Sequence, residues 1–171
     1  MEKINSLTGM TDLIETKADE NVLANKVFQT EKILKEIFTN YAMSEIRTPA
    51  LENTNLFKRS VGDTSDIVNK ELYTFLDKND KSITLRPEGT ASVMRSIIEK
   101  KLDGETHKLW YLGPMWRYER PQKGRYRQFN QAGIEILGYP EGTPEFEMIS
   151  MICELNRKLQ IRKPLIKINH L

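Results

Sequence analysis

Cysteine is almost absent from this sequence. Cys153 stands alone, so no internal disulfide can form, and a reducing compartment is the expectation. It lies in the apolar run MISMICEL and reads as a buried thiol. Histidine is nearly as scarce. His107 and His170 lie far apart and neither has a cysteine at ligand spacing, which speaks against a metal site or a Cys–His nucleophile. His107, in GETHKL, reads as a solvated loop residue, and Asp63 and Asp66 read as a polar loop rather than a metal pair. No apolar run approaches the roughly 20 residues that a membrane helix needs, and the opening MEKINSLTGMTDL lacks the apolar centre of a signal peptide. A cytoplasmic setting without membrane contact is expected. No glycine-rich loop ends in Gly-Lys-Ser or Gly-Lys-Thr, so a Walker-type phosphate loop is excluded. Charge of one sign is not in excess either: 26 Lys and Arg stand against 24 Asp and Glu. Any attraction to polyanions must come from a local patch.

What is present is the composition of one ordinary globular domain with a real core, 171 residues with 39% hydrophobic and 29% charged. Residues 1–18 read as a loosely structured polar lead. Asp19 is expected to cap a helix over 20–42, with Val27, Leu34, Ile37, Phe38 and Tyr41 at helical spacing. EIRTP gives a short strand stopped at Pro49. ELYTFLD and SITLR predict a hairpin around KNDK. Pro87 opens a second helix with Ala91, Met94, Ile98 and Leu102 as its apolar stripe. KLWYLG, MWRYE and YRQFNQAGIEILG read as three strands, the last two flanking the loop RPQKGR. Thr143 is expected to cap a final helix over 144–159, with Phe146, Ile149, Ile152 and Leu159 inward. KPLIKINHL begins like a further strand and stops, as a chain cut from a longer one would. Strands in series with flanking helices predict an α+β fold with a largely antiparallel sheet.

Five cations crowd the stretch WRYERPQKGRYRQFNQAGIE: Arg117, Arg120, Lys123, Arg125 and Arg127. Side chains alternate faces along a strand. Ala132, Ile134 and Ile136 therefore share a core face, while Phe129, Gln131, Gly133 and Glu135 share the other. Arg117 and Glu119 likewise share a face opposite Trp116 and Tyr118. If the two strands pair, Arg117, Glu119, Phe129, Gln131 and Glu135 line one cleft; the bland alternative is a sheet whose second face is merely wet. Gly133 in mid-strand leaves room for a ligand near the backbone. A guanidinium fork suits phosphate, and an aromatic ring beside a carboxylate suits a base with an exocyclic amine. In TLRPEGTA, Glu88 stands near a helix start with Gly89 and Thr90 beside it. Compensation of the helix dipole is the bland role for that acid; an ammonium site is the functional one.

LRPEGTA, GPMWRYERPQKGRYRQFNQAGIE and the helix that leads into IRTP together resemble the N-terminal part of the histidyl-tRNA synthetase family, from about Gly9 to the end of the chain. VGDTSDIVNKELYTF is similar to the family's segment before its hairpin. The resemblance implies a truncated class II aminoacyl-tRNA synthetase catalytic fold, an antiparallel sheet flanked by helices. It implies that residues 28–49 correspond to the first class-defining motif, which builds a homodimer interface, and residues 117–129 to the second. It implies that Arg117 contacts the ATP α-phosphate, that Glu119 accepts from the adenine amine, that Phe129 stacks on adenine, and that Arg125 lies near the outer phosphates and the tRNA acceptor end. Glu88, Gly89 and Thr90 correspond to the positions that hold the α-amino group of histidine, and Gln131 and Glu135 to those that read histidine itself. The implied activity is that of a histidine–tRNA ligase using ATP, with Mg2+ carried on its phosphates, L-histidine and tRNA(His). The family more often has His where Asn130 stands, on the side facing away from the cleft. By the same likeness residues 1–171 lack the family's third motif, its histidine-specific segment and its anticodon-binding domain, and are expected to be poorly active alone. Two other readings use the same residues: the regulatory subunit of ATP phosphoribosyltransferase, a non-catalytic paralogue, and an RNA-binding module built on the basic loop.

Overall fold

A computed structural model describes residues 3–16, 22–62, 71–162 and 165–167. The first helix, α1 (Leu23–Asn40), buries Ile37 and Phe38, with Ile33, Leu34 and Tyr41 packed beside them. That is the face the spacing predicts. Asp19 and the Asp63–Asp66 pair fall outside the described residues; Val22, in extended backbone, precedes the first turn and gives it no side-chain cap. The chain then enters β1 (Ser44–Glu45) before Pro49, as expected.

Two elements have no counterpart in the sequence reading, β2 (Leu51–Asn53) and α2 (Thr54–Val61). Both are too short for a period to show. Asn53 nevertheless supplies a cap, its Oδ1 accepting from the Asn55 N–H at 2.9 Å. The hairpin β3 (Thr74–Leu76) and β4 (Ser82–Leu85) forms around KNDK, where Asp77 Oδ1 accepts from the N–H groups of Asn79 and Lys81 at 2.8 and 2.9 Å. β2 adds to β4, giving a sheet in the order β2-β4-β3.

The next helix, α3 (Thr90–Glu99), starts three residues after Pro87, not at it. Its inward residues are Ala91, Val93 and Ile97, whereas Ile98 is 62% exposed. The expected stripe is thus rotated. β5 (His107–Trp116) and β6 (Gln128–Leu137) form a hairpin paired over all ten residues. The sequence reading split β5 at Pro114. Proline survives there because its missing N–H belongs to the edge facing away from β6: on that edge Trp110 accepts from Ile46, and Trp116 donates to the Arg86 carbonyl. His107 opens β5 rather than a loop, its ring Nε2 2.7 Å from the Leu102 carbonyl oxygen. β1 runs parallel to β5, so the second sheet has the order β1-β5-β6.

The last helix, α4 (Thr143–Lys158), is capped at Gly142, whose N–H donates to Glu145 Oε2 at 2.8 Å; Thr143 is its first residue rather than its cap. Its core face is Met148, Met151 and Leu155, while Phe146 and Ile152 face outward and Cys153 is exposed rather than buried. Residues 165–167 carry no strand.

The β5–β6 hairpin is covered on both faces. Trp110, Ile134 and Ile136 meet α1 and α4, with the rings of Phe38 and Trp110 stacked at 5.1 Å. On the other face Tyr111, Met115 and Phe129 meet Val93 and Ile97 of α3. That second face is therefore partly core and not simply wet. Ala132, placed in the core by alternation, is exposed and borders a cavity of about 490 Å³ between α1 and the hairpin.

Candidate active site

The site is assembled where the end of β4 runs into α3. Arg86 fastens this corner. Its Nε donates to the Pro114 carbonyl at 3.1 Å and its Nη1 to the carbonyl and hydroxyl of Thr48 at 2.7 and 3.0 Å. Burial pulls the Arg86 pKa down, against the opposing charge of Glu52 and the pull of Tyr111. Three chain segments are thus held at one guanidinium, and residues 87–90 leave it in a fixed direction.

Glu88 stands just ahead of α3. Its Oε2 accepts from the Thr90 N–H at 2.6 Å and its Oε1 from the Ala91 N–H at 3.0 Å. This capping role goes beyond the dipole compensation weighed from sequence, because each oxygen takes a specific orphan N–H of the first turn. Each oxygen still keeps a free lone pair. The Thr90 hydroxyl donates onward to Glu135 Oε1 at 2.7 Å, which ties α3 to β6. Burial pushes the Glu135 pKa up, the Thr90 hydrogen bond opposes it, and the Glu88 charge adds to the rise.

On the other side of Glu88, Arg117 Nε donates to the Pro87 carbonyl at 2.9 Å, and its guanidinium carbon lies 5.3 Å from the centre of the Phe129 ring. Arg117 and Glu119 lie past the end of β5, not on a strand, although the Arg117 N–H still pairs with the Arg127 carbonyl. Glu119 Oε2 is buried without a hydrogen bond and sits 3.4 Å from Arg125 Nη1, an ion pair with one exposed partner. Gln131 Oε1 is likewise buried with no hydrogen-bond partner. An acceptor left unpaired costs about 1–3 kcal/mol, so the Gln131 oxygen, unpartnered among the described residues, marks a place where a ligand donor is wanted.

The structure thus brings Arg117, Phe129, Glu88, Thr90 and Glu135 into one chain of contacts. A groove of about 1290 Å³ between α2 and α3 reaches this chain at Glu88 and Thr90; Arg117 and Glu135 border neither that groove nor the smaller cavity. The junction between them is made by residues 87–90. Gly133, expected to leave room for a ligand, is roofed by the ring of Tyr111. Asn130 faces away, as alternation predicts, and donates to Glu31 Oε1 of α1 at 3.0 Å. The lead segment is anchored rather than loose at two points, the Gly9 carbonyl accepting from the N–H groups of Arg127 and Gln128 and the Thr16 backbone exchanging two hydrogen bonds with the Asn25 side chain.

A family model described as Histidyl-tRNA synthetase matches residues 20–171. The chain belongs to that family. It is 51% identical over 143 residues to the histidine–tRNA ligase of Geobacter sulfurreducens, covering 82% of this chain and 35% of that protein. To the corresponding ligase of Prochlorococcus marinus it is 45% identical, over 100% of this chain and 39% of the relative. Among solved structures, apo S. aureus histidyl-tRNA synthetase superposes with a TM-score of 0.71 at 38% identity, over 91% of this chain and 35% of that one. A Bacillus halodurans protein described as an ATP phosphoribosyltransferase regulatory subunit/histidyl-tRNA synthetase superposes at 0.73 with 21% identity, over 93% of this chain and 40% of that one, which speaks for the fold alone. The chain spans about a third of the length of its synthetase relatives. Its α+β architecture is the class II catalytic fold expected from the sequence.

Sequence reading missed two residues of this site, Arg86 and Tyr111. Arg86 lay in the quoted LRPEGTA, but only tertiary contacts show what it clamps. Tyr111 had a signal: it pairs directly with Gly133 across β5 and β6, and an aromatic opposite a strand glycine is a recurrent partner.

Proposed function

We propose that residues 1–171 form the N-terminal part of the catalytic domain of a histidine–tRNA ligase, the part that grips ATP and histidine. The observation that carries this reading is the contact chain Arg117–Pro87–Glu88–Thr90–Glu135, set in a chain of this family and flanked by the Glu119 carboxylate and the unpaired oxygen of Gln131. Arg117 spends only its Nε on the protein, leaving its outer nitrogens for the α-phosphate. Phe129 and Glu119 receive adenine, and Arg125, 64% exposed, reaches the outer phosphates and the acceptor end of tRNA(His). Glu88 and Thr90, beside Gly89, hold the histidine ammonium, while Gln131 and Glu135 accept from its N–H groups. Mg2+ would neutralise phosphate charge as the counter-ion of ATP, and the Glu119 carboxylate, held at 3.4 Å from Arg125 without a hydrogen bond, fits a cationic or N–H-bearing group there.

In this reading a histidine carboxylate oxygen bonds to the α-phosphorus while the bond from that phosphorus to the bridging oxygen breaks, and pyrophosphate leaves. A terminal ribose hydroxyl of the tRNA then bonds to the histidyl carbonyl carbon while the bond to the phosphate oxygen breaks, and AMP leaves. The protein contributes placement and charge stabilisation rather than a nucleophile. Residues 28–49 supply a homodimer interface.

Histidine-dependent exchange of pyrophosphate into ATP by the protein at its natural length tests the proposal. Arg117→Ala is expected to slow exchange by about 10²–10³-fold, the usual cost of one preorganised charge donor. Exchange that ignores histidine, or that survives Arg117→Ala undiminished, would sink it.

A further inference from the structure

Tyr111 stands at the centre of the site, yet none of the contacts so far assigned to substrate involves it. It is 7% exposed and belongs to the core cluster with Val93, Ile97 and Met115. Its ring is held between two glycines from different elements. A methyl group at Gly89 would overlap the Cε2–Cζ edge of the ring, and a methyl at Gly133 would overlap the Cε1–Cζ edge and the hydroxyl. Neither glycine has a positive φ. Glycine is therefore needed at both positions for space and not for backbone conformation. The ring is a spacer between the first turn of α3 and the middle of β6.

Those are the two places that carry Thr90 and Glu135. The phenol sits among the polar groups of the same corner. Burial pushes its pKa up, a hydrogen bond with Thr90 pulls it down, and the charges of Glu135 and Glu88 raise it further. Thr90 in turn donates to Glu135 at 2.7 Å. The hydroxyl is pressed against both glycines, where a methyl built at either Gly89 or Gly133 would overlap it, in the same corner as that short link. The ring then fixes how far apart its two ends stand.

We propose that Tyr111 is a positioning residue for the amino-acid substrate: wedged between Gly89 and Gly133, it sets the separation of Glu88 and Thr90 from Glu135, so that one molecule bearing both an ammonium and a ring N–H is read at two points. The proposal rests on the histidine reading above and names the device that makes its two halves act together. The nucleotide side does not depend on it, because Arg117 is held by Pro87 and lies over Phe129.

The test is steady-state pyrophosphate exchange, with KM for histidine and for ATP measured separately, beside thermal unfolding. Tyr111→Phe keeps the spacer and removes the hydroxyl. It is expected to raise the histidine KM by roughly 10-fold, the weight of one hydrogen bond in a charged setting, with Tm and the ATP KM unchanged. Gly133→Ala drives the ring out of place, and adding Tyr111→Leu relieves that overlap. The double variant is expected to fold and to keep its ATP KM while its histidine KM stays roughly 100-fold raised. A histidine KM equal to the parent's in Tyr111→Phe, or equal losses in both KM values accompanied by a lower Tm, overturns the positioning role while leaving the ligase reading intact. A parent protein without histidine-dependent exchange removes both.

Discussion

At the scale of single residues, Glu135 carries the clearest tension in the molecule. It is half-buried, accepts from Thr90, and has the Glu88 carboxylate nearby; its pKa is raised, chiefly by burial. A carboxyl with a raised folded-state pKa binds its proton more tightly folded than unfolded. Its contribution therefore favours folding most at acid pH, below its ordinary value, and turns unfavourable as pH climbs through the raised value. Glu135→Gln keeps an oxygen for the Thr90 hydroxyl and removes the charge. We expect it to be more stable than the parent at pH 7, with the gap closing by about pH 4. Solvent screening at a half-buried site keeps the gain to a fraction of 1 kcal/mol, or about 1 °C in Tm. Thermal unfolding at several pH values reads the trend, and a gap that widens toward acid contradicts it. The same change should abolish histidine affinity, so a stabler and inactive variant would mark Glu135 as a site residue kept at a cost to stability.

At the scale of elements, three helices share an unusual ending. After α1, Met43 donates back to the Phe38 carbonyl and Ala42 to Thr39; after α3, Leu102 donates to Ile97 and Lys101 to Ile98; after α4, Ile161 donates to Asn156 and Gln160 to Arg157. This is the paired closure that normally has glycine at its turning residue. Here Ala42, Lys101 and Gln160 occupy that residue with φ of 54°, 58° and 52°. A left-handed side chain costs about 1 kcal/mol or more, and glycine returns part of that as extra unfolded-state entropy. Each change to glycine should raise stability by about 0.5–1 kcal/mol, read as a shift in the urea midpoint at constant slope. No gain at Ala42, where no other side chain interaction is lost, would contradict the assignment. These endings also explain what the sequence concealed. Without a glycine stop, the end of α1 looked two residues longer. Pro87 and Pro114, the strongest punctuation available, pointed to a helix start and a strand break; Glu88 caps the first turn of α3 instead, and the missing N–H of Pro114 faces away from β6, so β5 continues through it. The alternation along β6 was legible, and it correctly sent Gln131, Gly133 and Glu135 to one face. What filled that face, Tyr111 and α3, depends on contacts between residues far apart in the chain, which a local pattern does not encode.

At the scale of the whole molecule, the chain leaves a large surface uncovered. Its accessible area is 12851 Å², where a compact monomer of 19.9 kDa is expected to expose roughly 8,700 Å². Large apolar side chains lie on that surface: Phe146 is 74% exposed, Leu76 62% and Ile98 62%. The groove between α2 and α3, lined by Leu56, Met94 and Ile98, opens onto Glu88 and Thr90. Glu88, proposed to bind the substrate ammonium, therefore faces water along one side. Interactions between charges weaken several-fold when the medium changes from a closed site to bulk water, and a catalytic site gains much of its power by excluding solvent. Residues 1–171 should consequently retain a measurable affinity for ATP through Arg117 and Phe129 but exchange pyrophosphate at least about 100-fold more slowly than a longer relative such as the Geobacter sulfurreducens ligase, a loss of the size seen when one preorganised donor is removed. Calorimetric titration of ATP and an exchange assay on the two proteins, run side by side, separate binding from turnover. Exchange by the 171 residues within a few-fold of the longer protein would mean that the Arg117-to-Glu135 corner is sufficient in open solvent, and that the exposed groove contributes nothing to the reaction.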